Sequence, residues 1–221
     1  MKLAIEITSD FICPWCFVAE RRLAEALATL PEDVEADIRW VPFELNPDMP
    51  ERGMDRRTYR TNKFGSWERS QAMDTQTAQA AQADGIAFDY AAIERTPNTY
   101  LAHRLMRLAA SKNVASTMAG AIFSAYFEQG RDITDAQVLV DIAAGNGLDR
   151  GEAAAYLASD AGAQEVRAEE AMARVKGVRS VPQIDIGGQV VSGAQSVQVF
   201  ERALEHAIEA DAECTGGACA I

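Results

Sequence analysis

The hydrophobic period changes twice along this chain, and that change limits the folds open to it more than any other feature. Residues 2–8 alternate, Leu3, Ile5 and Ile7 against Lys2, Glu6 and Thr8, which is the period of a half-buried strand. After Pro14 the apolar positions Cys16, Ala19, Leu23, Ala26, Leu27 and Leu30 recur every three or four residues, the mark of an amphipathic helix that ends before Pro31. Alternation returns at 34–41 with Val34, Ala36, Ile38 and Trp40. From about residue 56 to 175 the pattern is helical and rich in Ala, Glu, Gln and Arg. Strand character comes back at 181–192, interrupted by Gly187-Gly188 as a two-residue hairpin turn, and Ser196 starts a last helix. The two ends therefore read β-α-β and β-β-α, each too small to be a sheet protein alone. Together they complete one four-stranded sheet, so the expected fold is α/β, split in sequence by an all-helical insertion. The expected boundaries are 1–55 and 176–209 for the α/β part, 56–175 for the insertion, and 210–221 for a flexible Cys-containing tail.

Within the helical block, Thr96-Pro97 reads as an N-cap followed by proline at the first helical position, with Leu101, Leu105 and Leu108 then sharing a face. Thr134 with Gln137 and Asp149 with Glu152 resemble capping boxes. Composition narrows the partners. The formal charge of −12 disfavours nucleic acid and anionic membrane surfaces. No apolar run has the roughly 18 residues of a membrane span, and MKLAIEITSD lacks the core of a signal peptide, so a cytoplasmic location is expected.

The four cysteines fall at opposite ends, Cys13 with Cys16 and Cys214 with Cys219. In a reducing compartment, a C-x-x-C beside a β-α-β pattern reads as redox-active before it reads as a structural bridge. Pro14 suits the first helical position, which puts Cys13 at the N-cap and Cys16 one turn on, facing inward. The unpaired amides and positive dipole end there stabilise a thiolate; comparable sites lower a cysteine from about 8.5 to roughly 3.5–7.5. Cys13 is thus the expected nucleophile and Cys16 the resolving thiol. A zinc site is disfavoured because His103 and His206 have no ligand spacing to the thiols. Gly145-x-Gly147-x-x-x-Gly151 misses the dinucleotide fingerprint by one residue and follows a helix.

Ser9-Asp10-Phe11-Ile12-Cys13-Pro14-Trp15-Cys16 resembles the active-site segment of DsbA-like oxidoreductases of the thioredoxin superfamily, in particular the FrnE-like branch. Four further stretches are similar in the same order: Pro42 to Pro50, Pro97-Asn98-Thr99 with Ala102 to Leu105, Val181-Pro182, and Ser192-Gly193-Ala194-Gln195. The resemblance implies a thioredoxin fold with a large inserted helical domain, and a cis Val181–Pro182 bond facing the cysteines. It also implies a dithiol–disulfide oxidoreductase or isomerase acting on protein or peptide disulfides, whose backbone before the proline pairs with an extended substrate. Pro14, Trp15, Val181, Pro182, Asn46, Asn98 and His103 are the implied substrate-contacting residues. Read alone, Pro182 equally suits an edge-strand start, Asn46 and Asn98 suit loop turns, and His103 suits a helix surface or domain interface. No tightly bound cofactor or metal is implied, and electrons exchange with glutathione or a thioredoxin system.

The dipeptide Pro14-Trp15 has no histidine, so the imidazolium that helps stabilise the thiolate in strong oxidants is missing. Relatives with the same insertion include glutathione-dependent transferases and 2-hydroxychromene-2-carboxylate isomerases, which carry serine at the position of Cys13. A glutathione-dependent small-molecule isomerase or transferase is therefore the alternative, and the intact C-x-x-C argues against it. Phe64 and Trp67 read either as lining of a substrate groove or as core. Cys214 and Cys219, with two glycines between them, read either as an auxiliary redox pair or as a tail without a specific role.

Overall fold

The computed structural model describes residues 1–215, with side chains through Ala212. Strand β1 (Lys2–Ser9), helix α1 (Pro14–Leu27) and strand β2 (Glu35–Pro42) form the first unit. Strand β3 (Met54–Asp55) then leads into α2 (Arg56–Phe64) and α3 (Trp67–Ala80), and β4 (Arg95–Thr96) precedes α4 (Tyr100–Ser111), α5 (Ala115–Phe127), α6 (Ala136–Gly145), α7 (Arg150–Ala158) and α8 (Ala163–Val175). Strands β5 (Gln183–Ile186) and β6 (Gln189–Ser192) and helix α9 (Val197–Thr215) complete the fold. The main sheet has the order β2-β1-β5-β6, with β1 parallel to β2 and antiparallel to β5. The α/β sheet with a helical insertion read from the sequence is thus the architecture found.

Alternation explains the sheet. Leu3, Ile5, Ile7, Ile184, Ile186 and Val191 bury one face against Ala19, Leu23 and Ala26 of α1 and Phe200, Ala203 and Leu204 of α9. Both turn glycines between β5 and β6 have positive φ, +58° at Gly187 and +93° at Gly188, as the tight hairpin requires. A Cβ on Gly187 would also come within 2.8 Å of Ala207, so α9 passes close over this turn.

The second core is aromatic and joins the insertion to α1. Phe123 of α5 lies 4.9 Å, ring to ring, from Phe11 and 5.4 Å from Phe17, and Phe127 stacks 6.1 Å from Phe17. Phe11, Phe17 and Phe123 are all fully buried. Arg22 of α1 adds a polar staple, binding Asp84 through Nε and Nη2 and the Ala194 carbonyl through Nη1.

Three local expectations shift. The helix expected from Thr96-Pro97 begins at Tyr100 instead, because Thr96 pairs with Met54 across β3 and β4 and Asn98 Oδ1 accepts from the Tyr100 amide. Asp135, and not Thr134, caps α6, since Thr134 donates to Asp132. The final helix runs beyond residue 209 to Thr215, so part of the expected tail is helical; Cys219 and the Cys214 side chain lie outside what is described. Asp149 caps α7 as read, accepting from the Glu152 amide.

Two measurements probe this packing. Phe123→Ala leaves a void where three aromatic rings meet and should lower the unfolding free energy by about 3–5 kcal/mol in urea titration. Glu20 of α1 faces Gly120 of α5, where an added Cβ would lie 3.4 Å from its carboxyl oxygen, and burial pushes its pKa up to about 7. A raised acid favours the folded state fully only below its unfolded pKa. Stability should therefore fall by about 2–3 kcal/mol between pH ~4.5 and ~7 on its account. Glu20→Gln should flatten that slope.

Candidate active site

Strand β1 ends at Ser9, and the chain turns through Asp10 to Ile12 with the Cys13 amide donating to the Asp10 carbonyl at 3.1 Å. Cys13 is the N-cap of α1 with extended backbone, φ −91° and ψ 109°, and Pro14 opens the helix, as its fixed φ and missing N–H favour. Both thiols are free; Cys13 is 7% exposed and Cys16 2%. Across from them the Val181–Pro182 peptide is cis, and the Cys13 thiol donates to the Val181 carbonyl at 3.7 Å. The Gly193 amide, in the positive-φ turn after β6, donates to the Pro182 carbonyl at 2.9 Å and holds that loop. The Arg22 bond to Ala194 holds the same turn from the other side.

The two thiols are shifted in opposite directions from the ordinary cysteine value. The Cys13 thiol lies below the ordinary cysteine value, first because Cys16 donates a hydrogen bond to it and further because the Cys16 and Trp15 amides of the first helical turn face it; burial works against this. Burial pushes Cys16 well above the ordinary value, and its bond to Cys13 adds to the rise. The two thiols thus differ in acidity, Cys13 being the more readily ionised and Cys16 the less.

Buried polar groups behind this loop fix it in place. Asp10, fully buried, accepts from the Leu45 amide at 2.7 Å, the Glu44 amide donates to Glu170 at 2.7 Å, and Arg174 donates to the Glu44 carbonyl at 3.1 Å. Arg167 bridges the Glu44 and Glu170 carboxylates. Burial, with the Glu170 charge adding to it, pushes Glu44 up to about 7. These bonds clamp the segment after β2 and carry Leu45 and Asn46 toward the cysteines.

A cavity of about 280 Å³ opens at Cys13, with Pro14, Trp15 and Leu45 on one wall and Tyr59, Arg60, Lys63 and Phe64 of α2 on another. Of the residues singled out from sequence, Cys13, Pro14 and Trp15 line it and Val181 touches the sulfur. Asn46 stands one layer behind, its Oδ1 accepting from Tyr59 at 2.6 Å and Lys63 at 2.9 Å. Asn98 does not line this cavity: it donates to the Met49 carbonyl and starts α4. His103 is 4% exposed, its ring tilted against Phe11 at 5.1 Å with Nε2 3.4 Å from Asp10, and borders a separate 440 Å³ cavity with Trp40 and Arg107. It is buried although it lies off the leucine stripe, because Ala102 to Met106 of α4 are buried on every side. Phe64 joins the cavity lining, whereas Trp67 lies on a different depression. The structural parts of Asp10 and Arg22 and the cavity-lining α2 residues were not read from sequence, although Arg56, Arg60 and Lys63 at i, i+4 and i+7 mark one helix face. Among the described residues no group of three or more His, Cys, Asp or Glu is placed to hold a metal.

The chain is 35% identical to a probable DsbA oxidoreductase of Streptomyces coelicolor, with a TM-score of 0.84 over 94% of this chain and 90% of that one. It is 28% identical over 212 residues to the Bacillus subtilis protein YwbO, described as uncharacterized, covering 92% of this chain and 96% of that protein. A 2-hydroxychromene-2-carboxylate isomerase shares the fold at 16% identity, with a TM-score of 0.73 over 96% of this chain and 98% of that one. Residues 4–205 match the DSBA-like thioredoxin domain, and the chain belongs to that family.

Proposed function

We propose that this protein is a dithiol–disulfide oxidoreductase and isomerase that acts on disulfides of proteins or peptides through Cys13-Pro14-Trp15-Cys16. The observation that carries the reading is the pair itself: a lowered Cys13 thiol at a helix start, a raised Cys16 behind it, and the Val181 carbonyl 3.7 Å from the Cys13 sulfur. In the reducing direction the Cys13 thiolate attacks a substrate disulfide, forms a mixed disulfide and expels one substrate thiolate. Cys16 then gives up its proton, attacks Cys13 and releases the second substrate thiol. The enzyme leaves oxidised by two electrons and the substrate reduced by the same two. The reverse sequence introduces a disulfide, and an incomplete cycle reshuffles one.

Val181 and Pro182 serve the substrate in this reading. The backbone before the proline lies beside the sulfur, so an extended client pairs there as an added strand, and Trp15 packs against it. Recycling is by a thiol of the glutathione class or a thioredoxin-type dithiol, and the site of action is the cytoplasm. Among the described residues no helix is long and apolar enough to cross a membrane. A glutathione-dependent isomerase chemistry has less support, because it leaves Cys16 without a part in the reaction.

Cys16→Ser should accumulate mixed disulfides with client proteins, read as adducts on non-reducing gels, while Cys13→Ser should accumulate none. Adduct-free Cys16→Ser together with glutathione-dependent isomerisation of a small aromatic substrate by the wild type would sink the proposal. Alkylation of Cys13 by iodoacetamide should show a midpoint below the ~8.5 of a free cysteine. Cys16→Ala should raise that midpoint, because the strongest cause of the lowering is the Cys16 hydrogen bond.

A further inference from the structure

Helix α2 is anomalous in so acidic a chain. Its nine residues contain four cations and no acid, against a net charge of −12 for the whole protein. Arg56, Arg60 and Lys63 follow at spacings of four and three, so they share one face, and all three line the cavity that holds Cys13. Among the described residues the one acid lining that cavity is Asp74 of α3, which Arg56 and Arg60 hold at 2.7 and 2.8 Å. Three cations against one carboxylate leave the lining with an excess of two positive charges.

These cations retain donors. Arg56 is 5% exposed and spends Nη2 on Asp74, while its Nε and Nη1 have no hydrogen-bond partner among the described residues. Lys63 is exposed, and its ammonium donates only to the neutral oxygens of Asn46 and Tyr59. Asp74 neutralises one of the three charges, and the remaining excess borders the cavity that holds Cys13. Apart from Asp74, the other lining groups are uncharged side chains, apolar or aromatic at Trp15, Leu45, Phe64 and Met73 and hydroxyl-bearing at Tyr59, Thr77, Thr96 and Tyr126, so the cations are the charged readers of the cavity.

We infer that the α2 face of Arg56, Arg60 and Lys63 is a carboxylate-reading subsite, selecting substrates that carry an acidic group close to the reacting sulfur. The inference rests on the oxidoreductase reading above. Carboxylate beside sulfur is chemistry that an acidic client segment and a small carboxylate-bearing disulfide share. Guanidinium and ammonium groups in a partly enclosed pocket recognise it by charge-assisted hydrogen bonds.

The test is a single-turnover reaction of the fully reduced protein with short peptide disulfides identical except for Glu, Gln or Lys on either side of the cysteine. A parallel arm compares glutathione disulfide with its carboxyl ethyl ester. The Glu peptide should react about five- to tenfold faster than the Gln peptide, with the Lys peptide slowest. The Glu-to-Lys ratio should shrink in molar salt. Lys63→Glu should invert the order of the Glu and Lys peptides. That ratio is internal to each variant, so loss of folded protein cannot mimic the inversion. Discrimination confined to the glutathione arm supports the subsite with a small disulfide as its source. Equal rates within both arms overturn the subsite and leave the oxidoreductase reading standing. Absence of any Cys13-dependent reaction overturns that reading itself.

Discussion

The antiparallel pairing of β1 with β5 is the contact on which the site depends. β1 runs out of the sheet into the Cys13 loop, and β5 runs into it directly after Pro182. Because the strands are antiparallel, with Thr8 opposite Gln183, the exit of one and the start of the other lie at the same edge. A parallel pairing would have put the cysteines and the cis peptide at opposite ends. The register is guarded by side-chain alternation: slipping β5 by one residue would turn Ile184 and Ile186 away from the core and present Gln183 and Asp185 to it. Over a separation of about 175 residues, chain entropy opposes this pairing by roughly 4–5 kcal/mol, which the shared apolar layer under α1 and α9 must exceed.

The opposite behaviour of the two thiols follows from the same placement. Cys13 stands at the helix start, within reach of first-turn amides, and Cys16 one turn later is inside the aromatic core that also contains Phe11, Phe17 and Phe123. Both thiols border that core, and what one helical turn changes is the reach of the first-turn amides, which face Cys13, and the depth of burial, which is greater at Cys16. The buried carboxylates of Asp10, Glu44 and Glu170 hold the neighbouring loop at a cost in desolvation, and Glu44 shows that cost in its raised pKa. That polar cluster sets the position of Leu45 and Asn46, which sequence similarity marks and periodicity does not explain.

Features carried by short-range pattern were legible in the sequence. The four strands of the main sheet, the Gly187-Gly188 turn, the start of α1 and the Asp149 cap all depend on residues within a few positions of each other. What was not legible depends on contacts between distant segments. The Thr96 start fails because Met54 claims that backbone for a two-residue ladder. His103 looks like a surface residue on a helical wheel, and it is buried because α4 is surrounded by other elements. Asn98 keeps the loop-turn part that its residue type favours. The cationic face of α2 was visible as spacing, but its meaning came only from seeing that it borders Cys13.

The cavity at Cys13 is built from two parts of the chain that answer to different constraints. Cys13, Pro14 and Trp15 belong to the strand-to-helix junction, where the helix start fixes backbone and charge and leaves little freedom to vary. The α2 wall belongs to the insertion and is attached to the sheet through the clamped segment after β2 and through Asn46. Lys63 is exposed and its hydrogen bonds go to Asn46 and Tyr59, so it touches neither the β1–β5 ladder nor Cys16. On the proposed reading, sulfur chemistry and substrate choice are therefore separable: the split sheet holds the first, and an inserted helix that contains no cysteine would set the second.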